Sequence, residues 1–314
     1  MTNEDRLKAG KYQLTIYSAN QYLLWRVAML KSIKHILENA DNFYAELKRE
    51  LRQIDDDTGD KTIHHEIKNG LMFEALAQSM QAIEDLFSLM KNASDISYFV
   101  KHVIVYRAGV VNQYIRDFDT ENLEYLLNQM QLLYFPLDEP WENKEIFEYY
   151  TGSVLLTQDY LRDLKKHHTQ FSLHYNQYKH GQAVALRPFA APPESVNENM
   201  LEAGLMVFDS LNFEKRMKNA SSLPSLMIPH LHPDIAGNVQ ELHNEDNLLR
   251  SDLKVMHIDT LINIAEKAYT LINVFWGNLR KRCTMADEDE FMEQYFPIKD
   301  YRQVAEIGFP KADM

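Results

Sequence analysis

Apolar residues repeat at helical spacing along most of this chain of 314 residues, and few residues interrupt the pattern. The stretch 238–282 is the most regular. Its apolar face consists of Ile258, Leu261, Ala265, Ala268, Ile272, Phe275 and Leu279. Only 10 glycines and 10 prolines occur, whereas β architectures rich in turns need more of both. The sequence therefore predicts an all-α protein, a helical bundle in which each helix buries one stripe.

The same spacing predicts helices in most of the remaining chain. They cover about 20–53, 62–91, 95–117, 120–133, 141–168 and 197–219, and a further helix follows residue 168 directly. Prolines exclude a helix in 182–196, where Ala183–Leu186 has the composition of a short strand. Helices should therefore dominate the fold.

Domain organisation depends on whether a long polar linker divides the chain. We find none that forces a division, so we expect one all-helical domain over 1–314. The most loop-like stretch is 220–237, which contains three prolines. The alternative is a bundle over 1–219 and C-terminal helices over 238–314, joined by that loop.

Composition excludes several classes of protein. No run approaches the roughly 18 apolar residues of a membrane span, and the N-terminus is polar and acidic, so we expect a cytoplasmic protein with no membrane partner. The one cysteine, Cys283, excludes a disulfide framework and a multi-cysteine zinc site. The acidic stretch 55–66 has its glycine one place too early for a calcium loop. No glycine-rich phosphate loop occurs, so we expect neither a metal nor a cofactor.

The charge of the chain is uneven. The formal net charge is −13, which argues against a surface built generally for nucleic acid. The basic window 162–187 is the exception, because it holds five basic residues, one acid and four histidines. Its basic residues are Arg162, Lys165, Lys166, Lys179 and Arg187. The window is either an ordinary solvated helix face or a patch that attracts phosphate, for which RNA is the expected partner.

Aromatic, amide, basic and imidazole side chains crowd together in the segment FSLHYNQYKHG at the end of this window. On a helix, Phe171, Tyr175 and Tyr178 fall on one stripe, which we expect to be buried. Asn176 and His180 are four residues apart and lie on a different face. This polar face at a helix end is either a C-terminal cap, where cations suit the negative end of the helix dipole, or a binding site.

The run YNQYKHG resembles the N-x-x-K-H-G signature of HEPN-like helical proteins of bacteria, with Asn176, Lys179 and His180 at its fixed positions. The resemblance extends over about 62–219. It implies a bundle of four to five helices that is usually dimeric, so we expect a HEPN-like core with flanking helices and a homodimer. Many members of the family are metal-independent RNases of toxin–antitoxin or other defence systems, and others are interaction modules without catalysis.

The family's catalytic pattern is an arginine, a polar residue, three to five further residues and a histidine. Tyr175 stands where this arginine would precede Asn176, and tyrosine cannot stabilise phosphate charge as arginine does. Arg162 followed by His167 or His168 also matches the spacing. Arg250 with His257 matches it too, although matches of this kind are expected by chance in a chain of this length. The resemblance therefore implies three candidate arrangements, and the one at Asn176 lacks its arginine.

Two functions remain for the chain. The first is a non-catalytic interaction module with a protein partner, of a defence or toxin–antitoxin type. The alternative is a metal-independent endoribonuclease or RNA-binding protein, in which His180 is the general acid/base, Asn176 its polar partner, and Lys179 and Arg162 hold phosphate. An imidazole suits proton transfer because its ordinary pKa lies near 6.5. The missing arginine and the net charge favour the first, and the sequence leaves open whether the chain is an enzyme.

Overall fold

The computed structural model describes residues 2–19, 24–39, 60–137, 143–180, 184–185, 201–210 and 249–284. In chain order the elements are α1 (Asn3–Ala19), α2 (Trp25–Glu38), α3 (Asp60–Asn92), α4 (Phe99–Ile104), α5 (Ala108–Asp117), α6 (Leu123–Gln129), α7 (Lys144–His180), β1 (Val184–Ala185), β2 (Glu202–Ser210), β3 (Leu249–His257) and α8 (Ile258–Thr284). The described chain is mostly helical, as predicted. None of the described helices is long and apolar enough to cross a membrane.

The chain folds into two compact units. The first unit comprises Met1–Ala28, Ser79–Gln170 and Asn263–Met314. The second unit comprises Met29–Gln78 and Phe171–Ile262. The predicted joining loop 220–237 lies outside the described residues.

Aromatic side chains form the core of the first unit. Phe87 of α3 packs edge-on against Phe118, with ring centroids 5.2 Å apart. Phe99 of α4 contacts Phe275 at 6.5 Å and Trp276 at 5.7 Å, both on α8. Rings of this size remove large apolar areas from water, so they supply much of the stabilisation of the unit.

Helix α1 approaches the segment before α4 at Gly10. A Cβ atom at this position would lie 2.6 Å from the carbonyl oxygen of Ile96 and 2.7 Å from Cα of Ser97. Glycine is therefore needed here because two backbones meet. We did not predict α1, since its apolar residues do not gather on one side: Leu14 is buried, whereas Tyr12 is 69% exposed.

The second unit contains a three-stranded antiparallel sheet in the order β1-β2-β3. The pairing of β2 with β3 is continuous, from Glu202 opposite His257 to Ser210 opposite Leu249. Helix α8 follows β3 directly, and the amide of Ile258 donates to the carbonyl of Leu201 over 2.9 Å. The short β1 confirms the strand predicted at Ala183–Leu186 for its residues 184 and 185.

Two predicted helices are wrong where the sheet forms. Glu202–Ser210, inside the predicted helix 197–219, is β2, and Leu249–His257, inside the predicted helix 238–282, is β3. In β2, Ala203, Leu205 and Val207 are buried at alternate positions, which is the spacing of a strand. Each strand satisfies its backbone through a partner far away in sequence, so local periodicity did not reveal either one.

The remaining helix predictions hold with changed ends. The predicted helix 62–91 is confirmed as α3, and 120–133 is confirmed in the shorter α6. The predicted helix 95–117 is divided into α4 and α5. The stretch from 144 to 180 is one continuous helix, α7, which unites the predicted helix 141–168 with the helix predicted after it. For the predicted helix 20–53, the structure shows α2, and residues 40–53 lie outside the described part.

Candidate functional site

The last turns of α7 carry the predicted aromatic stripe on one face and three of the predicted site residues on the other. Phe171 and Tyr175 are buried as the stripe predicts, and only 1% of Tyr175 is exposed. Tyr178 donates its hydroxyl hydrogen to Oε2 of Glu74 over 2.7 Å. The Tyr178 ring also stacks on Phe73, with centroids 5.6 Å apart. Phe171 and Tyr175 therefore belong to the core of the second unit, whereas Tyr178, which we expected to be buried with them, is only partly buried.

The other face of these turns meets solvent. Asn176 and Lys179 are both exposed. Three residues of an α-helix rotate by roughly 300°, so the two side chains lie about 60° apart around the helix axis. The ammonium nitrogen of Lys179 lies 3.8 Å from the centroid of the Tyr175 ring, in a cation–π contact. His180 is the last residue of α7, and its side chain lies outside the described atoms. Asn176 and Lys179 thus share one exposed surface at the end of the helix.

Arg162 is bound by two carboxylates of the first unit. Its Nε and Nη2 atoms donate to Oε1 and Oε2 of Glu121 over 2.9 and 2.5 Å, and Nη1 donates to Oδ1 of Asp159 over 3.3 Å. The guanidinium lowers the pKa of the Glu121 carboxyl group, chiefly through these hydrogen bonds. Fourteen positions along α7 separate Arg162 from Asn176, about 21 Å of helical rise. The helix therefore keeps the two apart.

His167 and His168 do not complete a site with Arg162. The two imidazoles are 5% and 2% exposed, whereas the Arg162 side chain is 42% exposed. Along a helix they lie roughly 120–140° around the axis from Arg162. Burial, assisted by the neighbouring His168, lowers the pKa of His167 to about 4, so its ring is neutral at pH 7. The second arrangement with the catalytic spacing therefore does not converge.

The remaining basic residues of the window differ in their surroundings. Lys165 donates from Nζ to the carbonyl oxygen of Phe118 over 2.6 Å. Lys166 is exposed, and Arg187 lies outside the described residues. Arg162 and Lys165 thus already bind oxygen atoms of the protein, which weakens the window as a continuous phosphate surface.

A buried acid that we did not predict lies in α3 of the first unit. Glu84 is 3% exposed, and its Oε2 atom accepts a hydrogen bond from the Tyr106 hydroxyl over 2.7 Å. Its Oε1 atom lies 3.9 Å from Nε2 of His168. A carboxylate, a phenol and an imidazole thus come together in the core, where electrostatic interactions are strong.

The neighbouring residue, Asp85, forms an ion pair with Arg26 of α2. Arg26 Nε donates to Oδ2 of Asp85 over 2.7 Å, and its Nη1 donates to Gln81. The guanidinium also lies 4.4 Å from the centroid of the Trp25 ring. Sequence analysis missed these two adjacent acids, Glu84 and Asp85, which lie among the apolar residues of α3. Acids are seldom buried unless they are paired, so acids at such positions indicate partners inside the protein.

Comparison of the chain with protein-family models, with curated proteins and with solved structures gives no match. Among the described residues, no three His, Cys, Asp or Glu side chains are placed to hold a metal ion. The function therefore has to be inferred from the side chains themselves.

Proposed function

We propose that the chain is a HEPN-like helical protein that works as a non-catalytic interaction module, of a defence or toxin–antitoxin type. One observation carries the absence of catalysis: Tyr175, at the position of the family's arginine, is 1% exposed. A phenol packed in the core cannot approach a phosphate in solution. RNA cleavage needs a cation that stabilises the charge developing on the phosphate, and a neutral phenol at this position does not supply one.

The second arrangement supports the same proposal. Arg162 already donates to Glu121 and Asp159. A phosphate would have to displace these carboxylates and would be repelled by both of them. Neither of these two arrangements therefore offers, among its described side chains, an arginine that is available to act in a transition state.

Helix α1 supports an interaction surface. Leu7, Tyr12 and Ile16 are 40%, 69% and 47% exposed, although all three are large apolar residues. By contrast, the apolar stripe of α8 is at most 4% exposed, because it lies in the protein's own core. We therefore propose that the homodimer contact lies on the face of α1 that carries Tyr12 and Ile16, which are four residues apart and leave apolar area to be buried.

Light scattering at micromolar concentration tests the homodimer. We expect a dimer for the wild type and a monomer for Tyr12→Arg and Ile16→Arg, since a charge would be buried in the contact. Thr15→Arg is the matched control, because Thr15 is exposed on the same helix and the substitution adds the same charge. A monomeric wild type contradicts the homodimer, and loss of the dimer in Thr15→Arg contradicts this location for it.

RNA binding is the second candidate, and a basic cavity in the first unit favours it. The cavity has a volume of about 330 Å³ and is lined by Lys91, His102 and Arg107, with no carboxylate among its described lining residues. In the described part of the chain, none of the three forms an ion pair. Positive side chains without acidic partners attract phosphate.

Incubation with single-stranded and structured RNA at low salt, without metal, separates the two functions. The interaction module predicts no cleavage by the wild type, and no change for His180→Ala or Arg162→Ala. If RNA binds at the basic cavity, Lys91→Gln and Arg107→Gln should weaken binding. Lys101→Gln and Arg116→Gln, which remove the same charge outside the cavity, should not. Cleavage that is lost in a folded His180→Ala variant would overturn the proposal.

A further inference from the structure

A second cavity of the first unit, of about 240 Å³, has several aromatic rings in its wall. Aromatic residues make up five of its fourteen described lining residues: Tyr17, Trp25, Tyr106, Tyr269 and Trp276. They are the largest side chains of a wall that is otherwise mostly aliphatic. Water occupies about 30 Å³ per molecule in the liquid, so the cavity has room for about eight water-sized groups. It is thus large enough for a small organic molecule and too small for a folded peptide element.

The walls hold their rings in place. Trp276 is 3% exposed and contacts Tyr17, with centroids 6.1 Å apart. Tyr106 is fixed by its hydrogen bond to Glu84. Trp25 is held beneath the guanidinium of Arg26. A preformed wall binds more tightly than a mobile one, because little side-chain entropy is lost on binding.

Acidic and basic side chains both border this cavity. Asp85 and Arg26 line it, and Glu84 lies behind its wall, where it accepts the hydrogen bond of the Tyr106 hydroxyl. Among the described residues, two carboxylates and one guanidinium are thus found in the wall or directly behind it. The Nε atom of Arg26 donates to Oδ2 of Asp85.

The two carboxylates also act on ionisable groups that line the cavity, after the larger effect of burial. Burial raises the pKa of Asp85, and Glu84 adds to the increase, despite the opposing charge of Arg26. The Asp85 side chain is 43% accessible, so a ligand in the cavity can reach it. Burial also raises the pKa of Tyr17, and the charge of Asp85 raises it further. A cation in the cavity would relieve this unbalanced negative charge.

We propose that this cavity binds a small organic ammonium ion that carries alkyl groups. Its methyl or methylene groups would contact the rings of Tyr106 and Tyr269, where the negative quadrupole of an aromatic ring attracts a cation. Its positive charge would be balanced by Asp85. Arg26 stays in the wall, so the ligand adds a second cation to two carboxylates and leaves the site neutral.

Choline is the probe, and intrinsic fluorescence is the measurement. Two of the three tryptophans of the chain, Trp25 and Trp276, line the cavity. We expect choline chloride to change the emission and to saturate it, at constant ionic strength. The uncharged isostere 3,3-dimethyl-1-butanol should bind about tenfold more weakly or worse, since it lacks the charge that the rings and Asp85 recognise. Equal binding of the two, or no saturation with choline, overturns the proposal.

Matched variants locate the site. Asp85→Asn and Tyr269→Leu should each weaken choline binding by about tenfold, the loss expected from one desolvated cation contact. Asp95→Asn and Tyr12→Leu are the controls, because both residues are exposed and lie outside the cavity lining. Thermal unfolding confirms that each variant is folded. If Asp85→Asn does not fold, the Tyr269→Leu variant and the uncharged isostere still test whether the cavity binds the cation. Unchanged binding in folded Tyr269→Leu overturns the site.

Discussion

The hydroxyl group of Tyr106 donates its hydrogen to Oε2 of Glu84 over 2.7 Å, and Glu84 is 3% exposed. Tyr106 lies between α4 and α5, and Glu84 lies on α3. A connecting segment is thus tied to a buried carboxylate. The same bond raises the pKa of Tyr106, after the larger effect of burial, so the phenol stays protonated.

Tyr106→Phe should destabilise the protein by about 1–3 kcal/mol, because it removes a hydrogen-bond donor from a buried carboxylate. Urea unfolding followed by circular dichroism measures this change. Tyr98→Phe is the control, since Tyr98 is 38% exposed at the start of α4. It should change the free energy of unfolding by less than about 0.5 kcal/mol. Equal effects of the two substitutions would contradict the importance of the Glu84 bond.

Gly10→Ala should destabilise the first unit by about 1–3 kcal/mol, the usual penalty of overpacking. The added Cβ would meet the backbone of Ile96 and Ser97, which cannot turn aside as a side chain can. Gly70→Ala is the matched control within α3, where a Cβ has no atom within 4 Å. It should stabilise by about 0.5–1 kcal/mol through helix propensity. Thermal melting tests whether Gly10→Ala lowers the melting temperature and Gly70→Ala raises it.

Stability should fall in mild acid because of His167. Burial lowers its pKa from 6.5 to about 4. As the pH falls, His167 therefore takes up its proton in the unfolded chain before it does so in the folded protein. The stability that the neutral ring allows is fully present above about pH 6.5 and is lost as the pH falls from about 6.5 to about 4. The full loss is on the order of 3 kcal/mol. His167→Gln should flatten the pH dependence of unfolding over that range. His102→Gln, at an exposed position, should keep the wild-type slope.

Tyr150→Phe should destabilise the protein by about 1–3 kcal/mol. The Tyr150 hydroxyl accepts a hydrogen bond from the amide of Phe135 over 2.8 Å, and Tyr150 is fully buried. The substitution leaves a buried N–H group without this acceptor. Tyr12→Phe, at a residue that is 69% exposed, should be nearly neutral. Urea unfolding compares the two, and a neutral Tyr150→Phe would show that another acceptor replaces the hydroxyl.

Sequence patterns predicted the fold best where one helix carries a long apolar stripe. Met72, Leu76 and Met80 of α3 are all fully buried, as their spacing required. The patterns failed for β2, because the residues that satisfy its backbone lie in β3. They also failed for α1, whose packing depends on the contact of Gly10 with Ile96 and Ser97. Both failures concern contacts between segments that are distant in sequence.

Only part of the candidate site could be predicted, because its contacts also join segments that are distant in sequence. Helical spacing correctly separated the buried Tyr175 from the exposed Asn176. The acids that bind Arg162 were harder to foresee, since Glu121 is 41 residues away in the chain. The roles of Glu84 and Asp85 depend on Tyr106 and Arg26, which lie on other elements. Spacing along one helix contains no information on such partners.

The pairing of Ser210 with Leu249 brings together two positions that are 39 residues apart in the chain. The strand ends that flank residues 211–248 are held side by side by the β2–β3 ladder, whatever joins them. Closing a loop between fixed ends costs only about 0.6 kcal/mol for each doubling of its length. Because the ladder already fixes both ends, added chain length between the two strands should cost the β2–β3 pairing little closure entropy.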